Sequence, residues 1–247
     1  MKSNVKSLLS NLQELNDTNT IKVNVPSIGK SVEFKLASVS QQKELIRTLF
    51  DGVDGVIKRT NIFNKLITDN CIAEGIEFLI TDRQSILIDI RKSTIGSEYM
   101  LKDVEYDLND LPALDKKSFK LKKKVTHDGI TVNLKVPTLT LDSEVNKKVE
   151  AEFAKVTDEK EKVKQSLDLV VAFETAKYVA DITIGDESLT FDDISVYERR
   201  QVINNLPLAL NNKILDYIGT IKEATDKALT LTDEVVVEID ANFLSSD

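Results

Sequence analysis

Two stretches one hundred positions apart share a plan that restricts what this chain can fold into. Val25–Ser40 reads VPSIGKSVEFKLASVS and Val125–Thr140 reads VTHDGITVNLKVPTLT. Val25, Gly29, Val32 and Lys35 fall on Val125, Gly129, Val132 and Lys135, while Phe34, Leu36, Val39 and Ser40 fall on Leu134, Val136, Leu139 and Thr140. Each stretch alternates apolar and polar residues on both sides of a glycine, the signature of a hairpin with one buried face. Each then reaches a Ser or Thr cap and an apolar repeat of helical spacing. The correspondence suggests a duplicated hairpin-plus-helix unit. Chance similarity between two amphipathic hairpins is the competing explanation.

The rest of the chain extends that plan. The first helix after the cap carries Leu45, Ile46, Leu49 and Phe50, and Asp51–Gly55 ends it. Ile62, Phe63, Leu66 and Ile67 predict a second helix over about 61–71. Thr81 and Gln84 have the spacing of a capping box, opening a helix that presents Ile86, Leu87, Ile90 and Ile95 and stops at Gly96. Arg91, near the end of that helix, reads as a structural cation for a carboxylate or for capping carbonyls. Val104, Tyr106 and Leu108 alternate as a strand. In the second hairpin, Asp128-Gly129 supplies the positive φ values of a tight turn.

Beyond the second hairpin the pattern is mainly helical. Leu141, Val145, Val149 and Phe153 mark one face, and Val163, Leu167, Val170, Val171 and Ala176 the next. Ile182 and Ile184 form a short strand before Gly185, Ser195 and Glu198 make a capping box, and Pro207 interrupts the helical run that continues to about Leu229. Val235, Val237 and Ile239 close as a strand. The expected class is therefore α+β, with a largely helical C-terminal half. The expected organisation is an N-terminal arm over 1–20, a first unit over 21–115 and a second over 116–247. Within the arm, Leu8, Leu9, Leu12 and Leu15 fit either a short docking helix or a loosely held segment.

Composition narrows the chemistry. With one cysteine, Cys71, and one histidine, His127, an intramolecular disulfide or a Cys/His zinc site cannot be built. No GxxxxGK[ST], GxGxxG or GxSxG occurs, so no cofactor is expected. His127, beside the tight turn, reads as a solvated turn residue rather than a ligand or base. A formal net charge of −8 argues against a general nucleic-acid binder, and no apolar run is long enough to span a membrane. The first residues lack a secretory apolar core, which predicts a protein made and kept in a cytoplasm.

Lys116, Lys117, Lys120, Lys122, Lys123 and Lys124 form the densest basic cluster. A surface for an acidic partner or for nucleic acid fits it, with Lys120, Lys122 and Lys124 as binding candidates. A solvated strand face that deters edge-to-edge pairing fits it as well. Acid pairs such as Asp186-Glu187 and Asp192-Asp193 read as loop and cap residues. A hydrolase or transferase using carboxylates alone would need several of them gathered in one pocket, and no spacing demands that. A small host adaptor is a third class of reading.

The succession VPSIGKSVEFKLASVSQQKELI, DRQSILIDIRKSTIG and ITVNLKVPT resembles the baseplate hub family of T4-type contractile-tail phages. The resemblance runs from about Ile21 to Phe243. It rests on the order of short motifs: the Gly-turn hairpin, the Arg-Lys-Ser element in Asp89–Gly96, and the strand ending Val136-Pro137-Thr138. It continues with an Ile-rich strand and acidic loop, Leu206-Pro207, and an acidic strand before Phe243. It implies a non-enzymatic structural or assembly protein whose partners are other hub or tail proteins. It places the chain in the host cytoplasm during assembly, and leaves open whether it is then built into the tail baseplate or acts only as an assembly factor. Many members carry paired cysteines after the position of Gly96 that look like a metal ribbon. Ser97–Leu111 has none, so no zinc role carries over. Gly29, Gly129, Arg91, Gly96 and Pro137 are expected to be structural.

Overall fold

A computed structural model describes residues 2–52, 55–156, 171–232 and 234–245. It is mixed α+β. An N-terminal helix, α1 (Lys2–Thr18), leads into the hairpin β1 (Thr20–Val25) and β2 (Lys30–Lys35). Their antiparallel register sets Val23 opposite Val32. One face of this hairpin is buried because Val23, Val25, Val32 and Phe34 alternate with exposed polar residues. Helices α2 (Val39–Arg47), α3 (Gly55–Asn70) and α4 (Arg83–Thr94) supply Leu45, Phe63, Leu66, Ile67, Ile86, Leu87 and Ile90 to the same core. Fully burying each such side chain is worth roughly 1.5–3 kcal/mol. Leu229, Val237, Phe243 and Leu244, from much later in the chain, complete this first core.

The caps differ between α2 and α4. Ser38 accepts from the Gln41 N–H while Gln41 reaches back to the Ser38 N–H, a reciprocal box that starts α2. The box expected from Thr81 and Gln84 does not form. A 3₁₀ turn over Ile80–Asp82 precedes α4, and the Asp82 carboxylate accepts from the Leu79 N–H at 2.9 Å instead. Asp82 is fully buried and also accepts from the Ser27 N–H at 2.8 Å and the Ser27 hydroxyl at 2.6 Å. It therefore holds the β1–β2 turn against α4. A carboxylate taking three donors displaces a threonine hydroxyl that would satisfy one.

A small hairpin, β3 (Glu98–Leu101) and β4 (Val104–Asp107), follows α4. The sequence reading found β4 but missed β3, because the turn uses Lys102 and Asp103 at φ 50° and 65° rather than glycine. The second large hairpin is β5 (Lys122–His127) with β6 (Ile130–Lys135). His127 pairs with Ile130 around a two-residue turn in which Asp128 and Gly129 have φ of 45° and 76°. β7 (Val179–Ile184) pairs with β6, and β8 (Glu187–Thr190) pairs with β7, giving the order β5-β6-β7-β8. The strand expected at Ile182 and Ile184 is thus an interior strand of the largest sheet.

Thr138 caps α5 (Leu139–Phe153) by accepting from the Leu141 N–H, repeating the role of Ser38 one hundred positions earlier. The face of α5 read from the sequence is the buried one: Leu141, Val145, Val149 and Phe153 pack with Phe173 and Val196. Val163, Leu167 and Val170 of the next expected face lie outside the described residues. After β8, α6 (Val196–Asn204) starts at the Ser195–Glu198 box, and α7 (Leu208–Ala228) starts at Pro207. α7 lays Leu210, Ile214, Tyr217 and Ile221 on the core of the four-stranded sheet. The closing strand is shorter than its alternation suggests. β10 (Val235–Val236) pairs with β9 (Thr230–Thr232) for two residues, and Val237 continues only through a bond from its N–H to the Leu229 carbonyl.

Candidate binding surface

β5 is an edge strand, and its alternation sorts the lysines. Val125 is buried on one face, while Lys122 and Lys124 are exposed on the other, as Lys120 is just before the strand. Lys123, on the inner face, is half-buried with its ammonium 5.9 Å from the Tyr217 ring centre. The Tyr217 hydroxyl sits 2.8 Å from the Lys120 carbonyl and 3.1 Å from that of Leu121, so its single proton is shared between them. Burial raises the Tyr217 pKa well above the ordinary phenol value, which keeps it a donor. From the same helix, Lys213 donates to the Thr126 carbonyl at 2.6 Å. α7 thereby fixes the backbone of β5 from beneath, and Lys120, Lys122 and Lys124 form no ion pair with any described residue. Among the described residues they are unpaired positive charges, on an edge whose backbone α7 holds through Tyr217 and Lys213.

The acids of the opposite edge are deployed differently. Glu187 is exposed on β8, but Asp192 is held by Lys135 at 2.7 Å, with Arg199 at 3.7 Å. His127 is half-buried at the end of β5, 3.3 Å from Asp128, rather than freely solvated.

Each of the remaining sequence candidates has a local structural setting. Gly29 and Gly129 sit in the two hairpin turns at φ 68° and 76°. Arg91 is buried, donates to the Phe243 carbonyl at 2.9 Å and to the Gly96 carbonyl at 2.8 Å, and stacks between the rings of Tyr99 and Phe243. Gly96, at φ 116°, lets the chain turn so that its carbonyl faces Arg91. The Pro137 carbonyl accepts from the Ile80 N–H at 3.0 Å, and the Leu139 N–H returns a bond to Phe78. This short bridge joins the two hairpin regions.

A buried ionic cluster went unread in the sequence. Asp142, on α5, accepts from Lys177 at 2.6 Å and from the Asn64 amide at 2.9 Å, and it is paired with Arg83. Asn64 also accepts from Arg83 at 2.8 Å, and Lys177 is further paired with Glu174. Burial pushes the Asp142 carboxyl up, yet Lys177 and Arg83 together hold it below its usual value. Burial pushes the Lys177 ammonium down, but Glu174 and Asp142 outweigh that and raise it. Tyr178, next to it, is pushed up to about 12, mainly by burial. The signal was available: Asp142 lies three residues before Val145 and seven before Val149, on the face that the sequence itself marks as buried. All of these charges are matched within the protein, so the cluster joins α3, α4 and α5 rather than presenting a free acid or base.

The groove between α3 and α5, with a volume of about 610 Å³, is lined by Glu44, Asn61, Lys65, Ser143, Glu144 and Lys147 among others. Its acids are spread along the walls beside lysines, with Glu44 3.8 Å from Lys65. No described helix is long and apolar enough to cross a membrane. Searches of curated proteins and of solved structures return no match. The model of one family, described as T4 bacteriophage base plate protein, matches residues 18–232, from the last residue of α1 to the end of β9. With that match spanning both hairpins, the basic edge and α7, the chain belongs to the T4 bacteriophage base plate protein family.

Proposed function

We propose that this protein is a non-enzymatic component or assembly factor of the baseplate hub that works by binding other hub or tail proteins. Family membership over residues 18–232 carries the reading. The geometry supports the mode of binding. Lys120, Lys122 and Lys124 present charge unpaired among the described residues, on a backbone pinned by Tyr217 and Lys213, a pre-ordered surface that costs little to organise on contact. The partner it suits is an acidic protein surface, for which such charges raise the association rate and set orientation. Nucleic acid is the poorer fit, because the chain carries 41 acids against 33 basic residues.

The test is a pull-down from infected cells with the wild-type chain and with Lys120, Lys122 and Lys124 all changed to Glu. Wild type recovers hub or tail-tube proteins, and raising the salt weakens that recovery. The variant folds but recovers less, with little further dependence on salt. Equal recovery by both forms removes the lysine edge from the interface. Recovery of no tail protein, together with a turnover abolished by one Asp or Glu change, replaces the binding role with an enzymatic one.

A further inference from the structure

α1 stands clear of the body. From Val5 to Thr18, every residue whose burial is described is exposed, on all sides of the helix. Val5, Leu8, Leu9, Leu12 and Leu15 are between 47% and 63% exposed. The tie to the body is at the C-terminal end, where Asp17 pairs with Lys35 at 2.6 Å. Such a helix is poorly supported by its own sequence. Ser7, Ser10, Asn11 and Thr18 are weak helix formers. The first turn has no acid and the last turn no base to complement the dipole. A helix of this length and composition is marginal in water unless its apolar stripe is covered.

The stripe has a defined form. Val5, Leu8, Leu12 and Leu15 are spaced by three, four and three residues, the a and d positions of two heptads. Leu9 widens the stripe at one turn only, Asn11 and Thr18 flanking it elsewhere, so it matches another helix better than a broad globular core. We infer that it is the docking site for α1 of a second copy of this chain, aligned antiparallel. Charged residues flanking such a seam are what select an unlike partner, and Leu9, Asn11 and Thr18 in the flanks are uncharged. Two identical helices therefore meet without repulsion. Lys6 lies in the first half of α1 and Glu14 in the second, Asp17 being already paired with Lys35. A parallel pair would gather like charges at each end, whereas an antiparallel pair sets the basic end of one beside the acidic end of the other and opposes the dipoles.

In that register Val5 of one copy faces Leu15 of the other and Leu8 faces Leu12, an isologous contact that closes on a two-fold axis. Two short seams bury less than the ~1,200 Å² of a standard stable interface. The pair is consequently weak, and it forms where copies are concentrated. A lipid surface does not suit the helix, because its polar face mixes Lys6 with Glu14 and Asp17 instead of carrying a basic cluster.

The experiment uses the full chain with Cys71, its one cysteine, changed to Ser. Leu8→Cys and Leu12→Cys forms are purified separately, mixed and mildly oxidised. The mixed disulfide is expected to exceed either homodisulfide several-fold. Sedimentation of the chain without added cysteines should show a dimer growing with concentration, and Leu8→Glu/Leu12→Glu should remain monomeric with an unchanged thermal midpoint, since both leucines are exposed. An excess of homodisulfides overturns the antiparallel pairing. A monomer at concentrations up to about 1 mM, where even a Kd of ~1 mM half-forms a pair, overturns the second copy as occupant. If the Glu variant then also loses recovery of a baseplate protein, the seam belongs to an unlike partner. The lysine-edge test reads a separate surface, so the two readings fail independently.

Discussion

The hairpin β1–β2 ends at two strands, whereas β5–β6 gains β7 and β8 and becomes half of a four-stranded sheet. The two share a local plan: alternating strands, a glycine at positive φ, a hydroxyl cap and a helix. They differ in what fixes them. The first has a four-residue turn tied from outside by Asp82 through Ser27. The second has a two-residue turn fixed by its own backbone and a sheet neighbour along the whole of β6. Similar local sequence specifies a hairpin in both places, and distant residues decide how each is completed.

The largest expected effect lies where the two regions join. Asp142→Ala leaves the buried Lys177 and the half-buried Arg83 without their shared carboxylate and should cost about 3–5 kcal/mol in urea unfolding. Its pH dependence follows from the directions of the shifts. The depressed Asp142 value means its contribution is in place above its unfolded value of ~3.9 and is lost as pH falls through the folded value. The raised Lys177 value means its contribution is in place below ~10.4 and is lost as pH rises through the folded value. The acid-side loss should be absent from the urea midpoints of Asp142→Asn. A variant that keeps the wild-type profile would detach the cluster from stability.

Next in size, Asp82→Ala strands the Ser27 and Leu79 donors and should cost on the order of 2–3 kcal/mol. Hydrogen exchange should show the loss in β1–β2 and not in β5–β6. Uniform deprotection of both hairpins would erase the contrast between an externally tied turn and a self-sufficient one. Smaller again, Gly129→Val forces a branched residue to φ 76° and should cost about 1 kcal/mol or more, although the space around it is open. An unchanged thermal midpoint would remove that turn as the determinant of the second hairpin. Smallest of all, Lys122→Glu with Lys124→Glu should shift the midpoint by no more than about 2 °C, because both side chains are in water.

Periodicity made both hairpins and the buried faces of α3 and α5 legible, because each reports local geometry through apolar spacing. Ser195 and Glu198 act within one turn, so their box could be read directly. Asp82 could not be read this way, since its role depends on Ser27, 55 positions away in sequence. For the same reason Lys177 and Asn64 are silent until the chain brings them to Asp142. The β3–β4 turn escaped because Lys102 and Asp103 adopt positive φ without the glycine that usually advertises it. On the candidate surface, sequence supplied the lysines. Only the fold shows that Tyr217 and Lys213 hold their strand rigid.

The first core is closed by Leu229, Val237, Phe243 and Leu244, and Gln42 donates to the Leu244 carbonyl across 202 positions. A chain emerging from the ribosome at roughly 5–20 residues per second therefore spends on the order of ten seconds or more with β1–β2 and α2 made but lacking their last wall. During that interval its apolar face is open to nascent neighbours. The second region waits about half as long, since α7 is complete about 100 residues after β5 begins. Premature termination a few residues before Phe243 would thus damage the part of the protein synthesised first, and only chains read through that point would reach assembly with their early half finished.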